Sequence, residues 1–508
     1  MRRPCSRCHG EAATQGGSSR MTSRRYGAVI VAVMLALSTA PASAAPHPSL
    51  NWQDCGNGAQ CAVLRVPVDW RDPGGPSTGI DVVRVTAKDP ARRTGTVVAN
   101  LGAGNSTTTI VGPRPAPLQT WLDELTERLD VVVFDPRGLG RSTGGTQIVC
   151  PRPPASILGL VRHQDEAGWQ AQVGENAAYD AGCRQAAGPV FAGLDSWQTA
   201  HDLDAIRAAL GEARLRYFGN SYGTTYGQAY AELFGDRLER LYLDGVADHT
   251  RPRLADWLAD YALTQERQLL RFRDWCARAA SCALHGRDAA NAWDELVATA
   301  QRAPVPAPGA GPGRVVTAGD LFAGALVGMT PPRWPALAQA IAEAATGDAS
   351  DFLTVLRFPP DGPTGSVQNA ILCHDFMPQT PDYREFLRIE RRLKALAPRF
   401  GWIEGRFELG RCAGVPGDPA YPPRPLSAPK APAALVTIGE LDNNTANLGA
   451  AHVAGQFPRA STVWHGDGHA AYLLGNRCLR KLGNAYLFDG TLPAPGTFCP
   501  GELAPPVD

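Results

Sequence analysis

Apolar and polar positions change their period several times along this chain, and the changes divide it. In 63–69 and 80–86 apolar residues alternate with polar ones on either side of a Pro/Gly turn, which predicts an antiparallel strand pair. A third strand, 96–100, runs into the loop Leu101-Gly-Ala-Gly-Asn105. A helix over 118–129 then precedes Val131-Val-Val-Phe134, a continuous apolar run that suits a strand covered on both faces. A helix over 197–210 carries Leu203, Ile206 and Leu210 on one face and stops at Gly211. Strand 215–218, a helix from Thr224 and strand 241–245 follow. This alternation predicts an α/β fold, a mostly parallel sheet with helices on both sides.

From 251 to 425 the period becomes helical. Long stretches at 254–280 and 334–345 are separated by the Pro/Gly-rich segment 303–314, and no convincing strand is visible. This stretch reads as a helical cap inserted over the carboxyl edge of the sheet. Strand 434–438, helix 445–456, strand 461–464, the loop Gly466-Asp-Gly-His469 and a closing helix complete the pattern. The expected organisation is a core in two parts, 45–250 and 426–508, with the cap at 251–425.

The first 44 residues read as an address. A basic start at Arg24 and Arg25, a short apolar run at 28–37 and Ala42-Ser-Ala44 make a secretory signal cut after Ala44, with Met21 as the expected true start. The segment Cys5-Ser-Arg-Cys8-His9 matches a haem attachment pattern but would be lost with that signal. Twelve cysteines minus these two leave ten, an even number for an oxidising compartment. Cys55/Cys61 and Cys276/Cys282 are near neighbours, and Cys150/Cys183, Cys373/Cys412 and Cys478/Cys499 are reasonable longer pairs, although sequence leaves connectivity open. No C-x-x-C pair remains, so no metal is expected, and no cofactor motif is found. Lysine plus arginine and aspartate plus glutamate both number 49, so charge gives no pointer to nucleic acid or acidic lipid. No later apolar run is long enough for a bilayer.

The pattern G-x-S-x-G occurs three times, at Ser77, Ser142 and Ser221. The first sits in the predicted hairpin turn, and the second has no helical pattern after it. Only Gly219-Asn-Ser221-Tyr-Gly223 has a strand before it and a helix after it, the setting in which a tight turn holds a serine hydroxyl above a sheet. Ser221 is therefore the candidate nucleophile. The N–H of Tyr222 and one from the loop Gly102, Ala103, Gly104 are the candidate oxyanion donors.

A serine hydroxyl needs a base, and the base an orienting acid. In this strand order they should follow as acid and then His, each in a loop after a later strand. His469 stands in a Gly-flanked loop after the last strand. His452 falls in a helix, and His465, the rival, continues a strand. Asp442 follows strand 434–438. Glu440, Asp467 and the earlier Asp244 are its alternatives.

These residues carry a resemblance. Over 52–499 the chain is similar to the secreted actinobacterial tripeptidyl-aminopeptidase-like hydrolases, α/β-hydrolase-fold enzymes of the proline-iminopeptidase clan. It rests on Val66-Pro-Val-Asp, Asp135-Pro-Arg-Gly-Leu-Gly-Arg-Ser, Asp202-Leu-Asp-Ala-Ile-Arg, Gly219-Asn-Ser-Tyr-Gly-Thr, Leu243-Asp-Gly-Val, Gly439-Glu-Leu-Asp, Gly468-His469 and Gly496-Thr-Phe-Cys499. The resemblance implies a triad of Ser221, Asp442 and His469, a cap that shapes a peptide cleft, and release of short peptides or single residues from a free N-terminus. Two departures stand out: Leu101-Gly-Ala-Gly-Asn105 where the family usually carries Gly-Gly-Pro-Gly, and Ala446 where it carries proline.

The expected protein is a secreted, extracellular or cell-wall-associated serine exopeptidase acting on peptides. Its alternatives are an esterase or acyltransferase on small esters, or a binding protein on a hydrolase scaffold. An aminopeptidase must also hold an ammonium, and Asp375 is the candidate carboxylate, with a solvated surface charge as its plainer reading.

Overall fold

β-Branched and aromatic residues in short runs find their partners in one twisted sheet. The computed structural model describes residues 50–140, 144–357, 366–377, 380–417, 421–503 and 505–506. The signal region, Met21, the Cys5/Cys8/His9 pattern and Ser142 lie outside the described residues. Ten strands form the sheet: β1 (Gln53–Gly56), β2 (Ala59–Pro67), β3 (Ser77–Val85), β4 (Gly95–Asn100), β5 (Leu129–Phe134), β6 (Leu215–Asn220), β7 (Leu238–Asp244) and, after a pair described below, β10 (Ala434–Gly439), β11 (Ala460–His465) and β12 (Phe498–Cys499). Their order is β1-β2-β3-β5-β4-β6-β7-β10-β11-β12. The first three pairings are antiparallel and the rest parallel.

Strand periodicity divides the core. Val97, Ala99, Val131 and Val133 pack in one apolar cluster with Trp121, Leu122 and Leu487. Val98 and Val132, the residues between them, pack in another with Leu203, Ile206, Tyr226 and Val453. Side chains two apart share a face, so each strand feeds helices on both sides and is buried throughout.

Between β7 and β10 the chain is mainly helical, as the period predicts, and packs in an apolar cluster built on Trp257, Phe272, Trp293 and Phe400, with Leu160, Val161 and Trp169 from before β6. Leu441 and Ala446, from beyond β10, join that cluster, so the insertion is packed onto the core. The absence of strands there needs correction. Val305–Pro306 (β8) and Val315–Val316 (β9) form a two-stranded ribbon across the Pro/Gly segment. Gly311 (φ +124°) and Gly313 (φ +68°) reverse the chain in backbone conformations that side chains resist.

One long helix, Glu166–Ala187, escaped the pattern reading. Its buried face mixes Trp169, Tyr179 and Cys183 with the polar Gln172 and Asn176, which blurs the apolar period. Those amides donate to the carbonyl of Gly410, at 2.6 and 3.0 Å, and so support the helix Glu404–Cys412. The ten cysteines pair as Cys55–Cys61, Cys150–Cys183, Cys276–Cys282, Cys373–Cys412 and Cys478–Cys499. Among the described residues no helix is long and apolar enough to cross a membrane.

The Asp135-Pro-Arg137 segment anchors the core through charge. Arg137 and Asp202, each with only 1 % of its side chain exposed, pair at 2.6 and 2.9 Å. Arg137 also donates to the Val68 carbonyl at 2.6 Å, and Asp202 accepts from the Trp70 indole at 2.8 Å. Removing one partner strands a buried charge, which is far worse than losing both. Arg137→Met should therefore lower stability by about 3–5 kcal/mol, read as a lower urea midpoint at unchanged slope. Adding Asp202→Leu should recover part of the loss.

Candidate active site

The turn after β6 is held by backbone contacts that exclude larger residues. A Cβ on Gly219 would come within 2.5 Å of the Gly223 carbonyl oxygen, and one on Gly223 within 2.6 Å of the Asn100 carbonyl oxygen. Ser221 between them takes φ +53°, a strained value for a non-glycine residue that persists only where the surroundings enforce it. Its N–H donates to the Asp244 carbonyl at 3.0 Å, and its own carbonyl accepts from Thr224 N–H at 2.9 Å and Thr224 Oγ1 at 2.6 Å. The elbow helix, Gly223–Phe234, starts at once. Tyr222 stands as its N-cap, where no preceding turn supplies an acceptor for its N–H.

The loop after β4 lies against this turn. A Cβ on Gly102 would meet the Ser221 Cβ at 3.0 Å. The N–H of Gly102 donates to Asn100 Oδ1 at 3.1 Å, and the Leu101 carbonyl accepts from Asn220 Nδ2 at 3.1 Å. Gly102 is therefore a spacer whose N–H is engaged, which removes it from the three candidate donors. Ala103 and Gly104 remain, and Ala103 lines the same cavity as Ser221 and Tyr222. The loop is braced by Asp135, which accepts from Thr107 N–H at 3.0 Å, from its hydroxyl at 2.5 Å and from Asn105 Nδ2 at 3.2 Å. Burial pushes the Asp135 carboxyl up to about 6 against these donors.

Asp442 and His469 meet. His469 Nδ1 lies 3.1 and 3.0 Å from the two carboxylate oxygens of Asp442. Asp442 also accepts from the N–H groups of Asn444 and Thr445 at 3.0 Å each and from the Thr445 hydroxyl at 2.8 Å. The Asx turn and the histidine contact thus coexist. Burial raises the Asp442 carboxyl, but His469 and these donors outweigh it and hold it below its usual value. Burial lowers His469, and the facing Asp442 charge more than offsets this, so the imidazole titrates above 6.5. Ala470, directly after it, takes φ +59° and ends the loop. The turn at Asp244-Gly245 connects the two halves: Asp244 accepts the Ser221 N–H, and a Cβ on Gly245 would meet His469 Cε1 at 2.8 Å.

Apart from His465, the rival residues have other partners. His465 closes β11, is buried and held below its usual pKa by that burial, and has no partner for Nδ1 among the described residues. Asp467 accepts from Asn476 Nδ2 at 2.8 Å and from the N–H groups of Glu502 and Leu503. Glu440 pairs with Arg271 at 3.5 Å, and His452 faces Asp248 at 3.1 Å. Asp244, buried, accepts from the Thr437 hydroxyl at 2.5 Å.

Ser221 opens into a cavity of about 300 Å3. Its walls include Trp257, Tyr261, Phe376 and Phe407 from the insertion and Asn443 to Thr445 from the loop that carries Asp442. Asp375, expected as the amine-binding carboxylate, does not line it. The Asp375 side chain is fully buried, with its oxygens taken by Ser196 N–H at 2.9 Å, the Ser196 hydroxyl at 2.6 Å and the Tyr222 hydroxyl. Its position in Cys373-His-Asp375 suggested a cap surface, but helix Gln368–Phe376 turns it inward onto the core.

The carboxylates that do line the cavity are Glu404 and Glu408, which sequence reading missed. They are four apart on one helix, so they share a face, and this i,i+4 acidic spacing was the available signal. Glu404 accepts from Gln265 Nε2 at 3.1 Å, and Glu408 faces Arg411 at 3.7 Å. Burial raises both carboxyls, Glu404 well above its usual value with the Glu408 charge adding to the effect, while Arg411 works against the rise in Glu408.

Comparisons with known proteins follow the same outline. Residues 114–302 match the family described as alpha/beta hydrolase fold, and residues 402–499 the family described as TAP-like protein. The chain is similar to "Serine protease Hip1" of Mycobacterium tuberculosis, 29% identical with 87% of each chain covered. It is also similar to "Tripeptidyl aminopeptidase" of Streptomyces lividans, 26% identical over 91% of this chain and 89% of that one. A third relative, "Carboxylesterase B" of Mycobacterium tuberculosis, is 28% identical over 90% of this chain and 91% of that one. Sheet order, elbow and these matches agree that the chain has the α/β-hydrolase fold and is linked, at the level of the family, to the TAP-like and serine-protease α/β-hydrolases of actinobacteria.

Proposed function

We propose that this protein is a secreted serine exopeptidase that removes short peptides or single residues from the free N-terminus of its substrates. In this reading Ser221 attacks the scissile carbonyl while His469 takes its proton and later gives it to the leaving amine. Asp442 holds the imidazole with Nδ1 protonated and stabilises the imidazolium. The N–H groups of Tyr222 and Ala103 stabilise the oxyanion. The acyl-enzyme is then released by water. Five disulfides suit the oxidising compartment beyond the membrane.

The observation that carries the exopeptidase reading is that Ser221 and two buried carboxylates, Glu404 and Glu408, share one cavity. Two carboxyls buried side by side on one helix face hold protons at the expense of charge. An ammonium group entering beside them favours the charged state and adds to the Arg411 charge that already faces Glu408. Gln265, on the same wall, has a buried Oε1 with no partner among the described residues, a further acceptor. An esterase acting on neutral esters has no use for this arrangement.

The test compares peptidyl amides with free and acetylated N-termini beside a short-chain ester. Cleavage restricted to the free-amine peptides is expected. Equal cleavage of acetylated peptides would sink the reading, and ester-only turnover would move the chain toward its carboxylesterase relative. Absence of turnover together with no fluorophosphonate labelling would leave a binding protein. Glu404→Gln and Glu408→Gln should each raise KM for the free-amine substrate roughly 10- to 100-fold, the range for a hydrogen bond to a charged group, with kcat changed far less. Low pH should act in the same direction, because acid neutralises the two raised carboxyls.

A further inference from the structure

Asp375 is displaced from the role expected for it, yet it is among the most heavily engaged carboxylates of the molecule. It lies on helix Gln368–Phe376 of the insertion, but all its side-chain partners belong to the core. Ser196 opens the helix Ser196–Ala209, whose first N–H groups favour a negative charge beside them. Tyr222 is the residue that follows the nucleophile. Its ring also packs edge-on against Phe376 at 5.7 Å and Tyr226 at 5.4 Å. The peptide between Ser221 and Tyr222 is therefore gripped at both ends. Ser221 is held through its N–H on Asp244, and Tyr222 through its side chain on Asp375.

Resting on the reading of Ser221 as nucleophile, we propose that Asp375 is a positioning residue: its carboxylate holds the Tyr222 hydroxyl, so the oxyanion N–H is aimed only when the insertion is seated on the core. The cap would then do more than enclose substrate. It would complete the elbow. The Cys373–Cys412 disulfide joins this helix to Glu404–Cys412, so the proposed amine carboxylates and the elbow bear on one rigid pair of helices.

The surroundings add a pH signature. Burial pushes the Asp375 carboxyl up to about 7, the nearby Asp195 charge adds to this, and the bonds from Ser196 and Tyr222 oppose it. The other titratable groups around it are Tyr226 and Tyr421, which feel its charge, and His249, whose Nε2 lies 3.0 Å from its backbone carbonyl and which burial holds at about 4. None of these three carries charge near neutrality. Protonation removes the charge to which the Tyr222 and Ser196 hydroxyls now donate, so the charge-assisted bonds are present above the Asp375 pKa and lost below it.

The experiment measures the rate constant for fluorophosphonate labelling of Ser221 in the full chain, across pH, for wild type, Tyr222→Phe, Asp375→Asn and the double variant, with thermal midpoints alongside. Each single change should slow labelling about tenfold at pH 8, within the range that misplacement of reacting groups produces. The double variant should be no slower than the worse single, because both remove one interaction. Wild-type labelling at low pH should lose about tenfold beyond what protonation of His469 alone removes, and Asp375→Asn should lack that extra step. Tyr222→Phe removes a single hydroxyl, so it keeps the test decisive if Asp375→Asn does not fold. Wild-type rates in Tyr222→Phe, multiplicative losses in the double variant, or the same extra acid step persisting in Asp375→Asn would each overturn the proposal. A wild type that is not labelled at all would overturn the nucleophile reading as well.

Discussion

Replacing Ser221 by Ala should abolish turnover of every substrate class, with kcat falling about 10^6-fold and substrate binding nearly unchanged. The reason is local. The hydroxyl is the group that forms and breaks the covalent bond, and nothing beside it substitutes. The Tyr222 hydroxyl, next along the chain, is held on Asp375, and that of Thr224 is committed to the Ser221 carbonyl at 2.6 Å. Alanine keeps the Cβ that makes φ +53° costly, so this change should leave the backbone strain in place. A Ser221→Gly variant, free to adopt that φ, should therefore be inactive and more stable than wild type. Active-site titration with a fluorophosphonate and a urea melt check the two halves separately. Retained labelling in Ser221→Ala would place the nucleophile elsewhere.

Asp442→Asn should lower kcat about 10^4-fold while leaving the fold intact. An amide in place of the carboxylate can present its N–H2 to His469 Nδ1 and so favour the tautomer that has the proton on the wrong nitrogen. It also removes the charge that holds the imidazole above 6.5. In wild type the histidine must be neutral to accept the serine proton, so kcat/KM should fall as pH drops through that raised value. In the variant the residual kcat/KM should fall at lower pH, since an imidazolium without its carboxylate loses its proton more readily. A full pH profile of both proteins reads this shift. An acidic limb that does not move would mean that Asp442 is not the partner of the titrating group, and Asp244, buried behind the Ser221 turn, would be the next residue to change.

Several of these assignments were legible along the chain because they depend on local order. Strand, tight turn and helix around Ser221 follow from a run of apolar residues, two glycines and a helical period, all within twenty residues. The order serine, acid, histidine then narrows ten histidines to three and singles out loop positions after strands. The structure brings Asp442 and His469 into contact, leaves His465 Nδ1 without a partner among the described residues, and gives Glu440 and Asp467 other partners. The even cysteine count was equally readable, because a disulfide asks only for a count and a compartment.

Elsewhere the period misled or was silent. Gln172 and Asn176 face inward on a long helix because their amides meet carbonyls contributed more than 200 residues later, so no local window shows them as core. Asp375 and Glu404 both lie in helical stretches of the insertion, and nothing local says which faces the cavity. Which one faces the cavity depends on how two helices, tied by Cys373–Cys412, roll against the core. The N–H of Gly102 was as good a donor as that of Ala103 until Asn100 Oδ1 was seen to occupy it.

By itself, then, the sequence determined the α/β order of elements, the elbow at Ser221 and the short set of residues from which its partners come, because these rest on contacts between near neighbours and on chain order. Only the tertiary structure decided which carboxylate meets His469, which faces the cavity and which is buried against Tyr222. A carboxylate's role is set by the dielectric and the donors around it, and those are assembled from segments far apart in the chain.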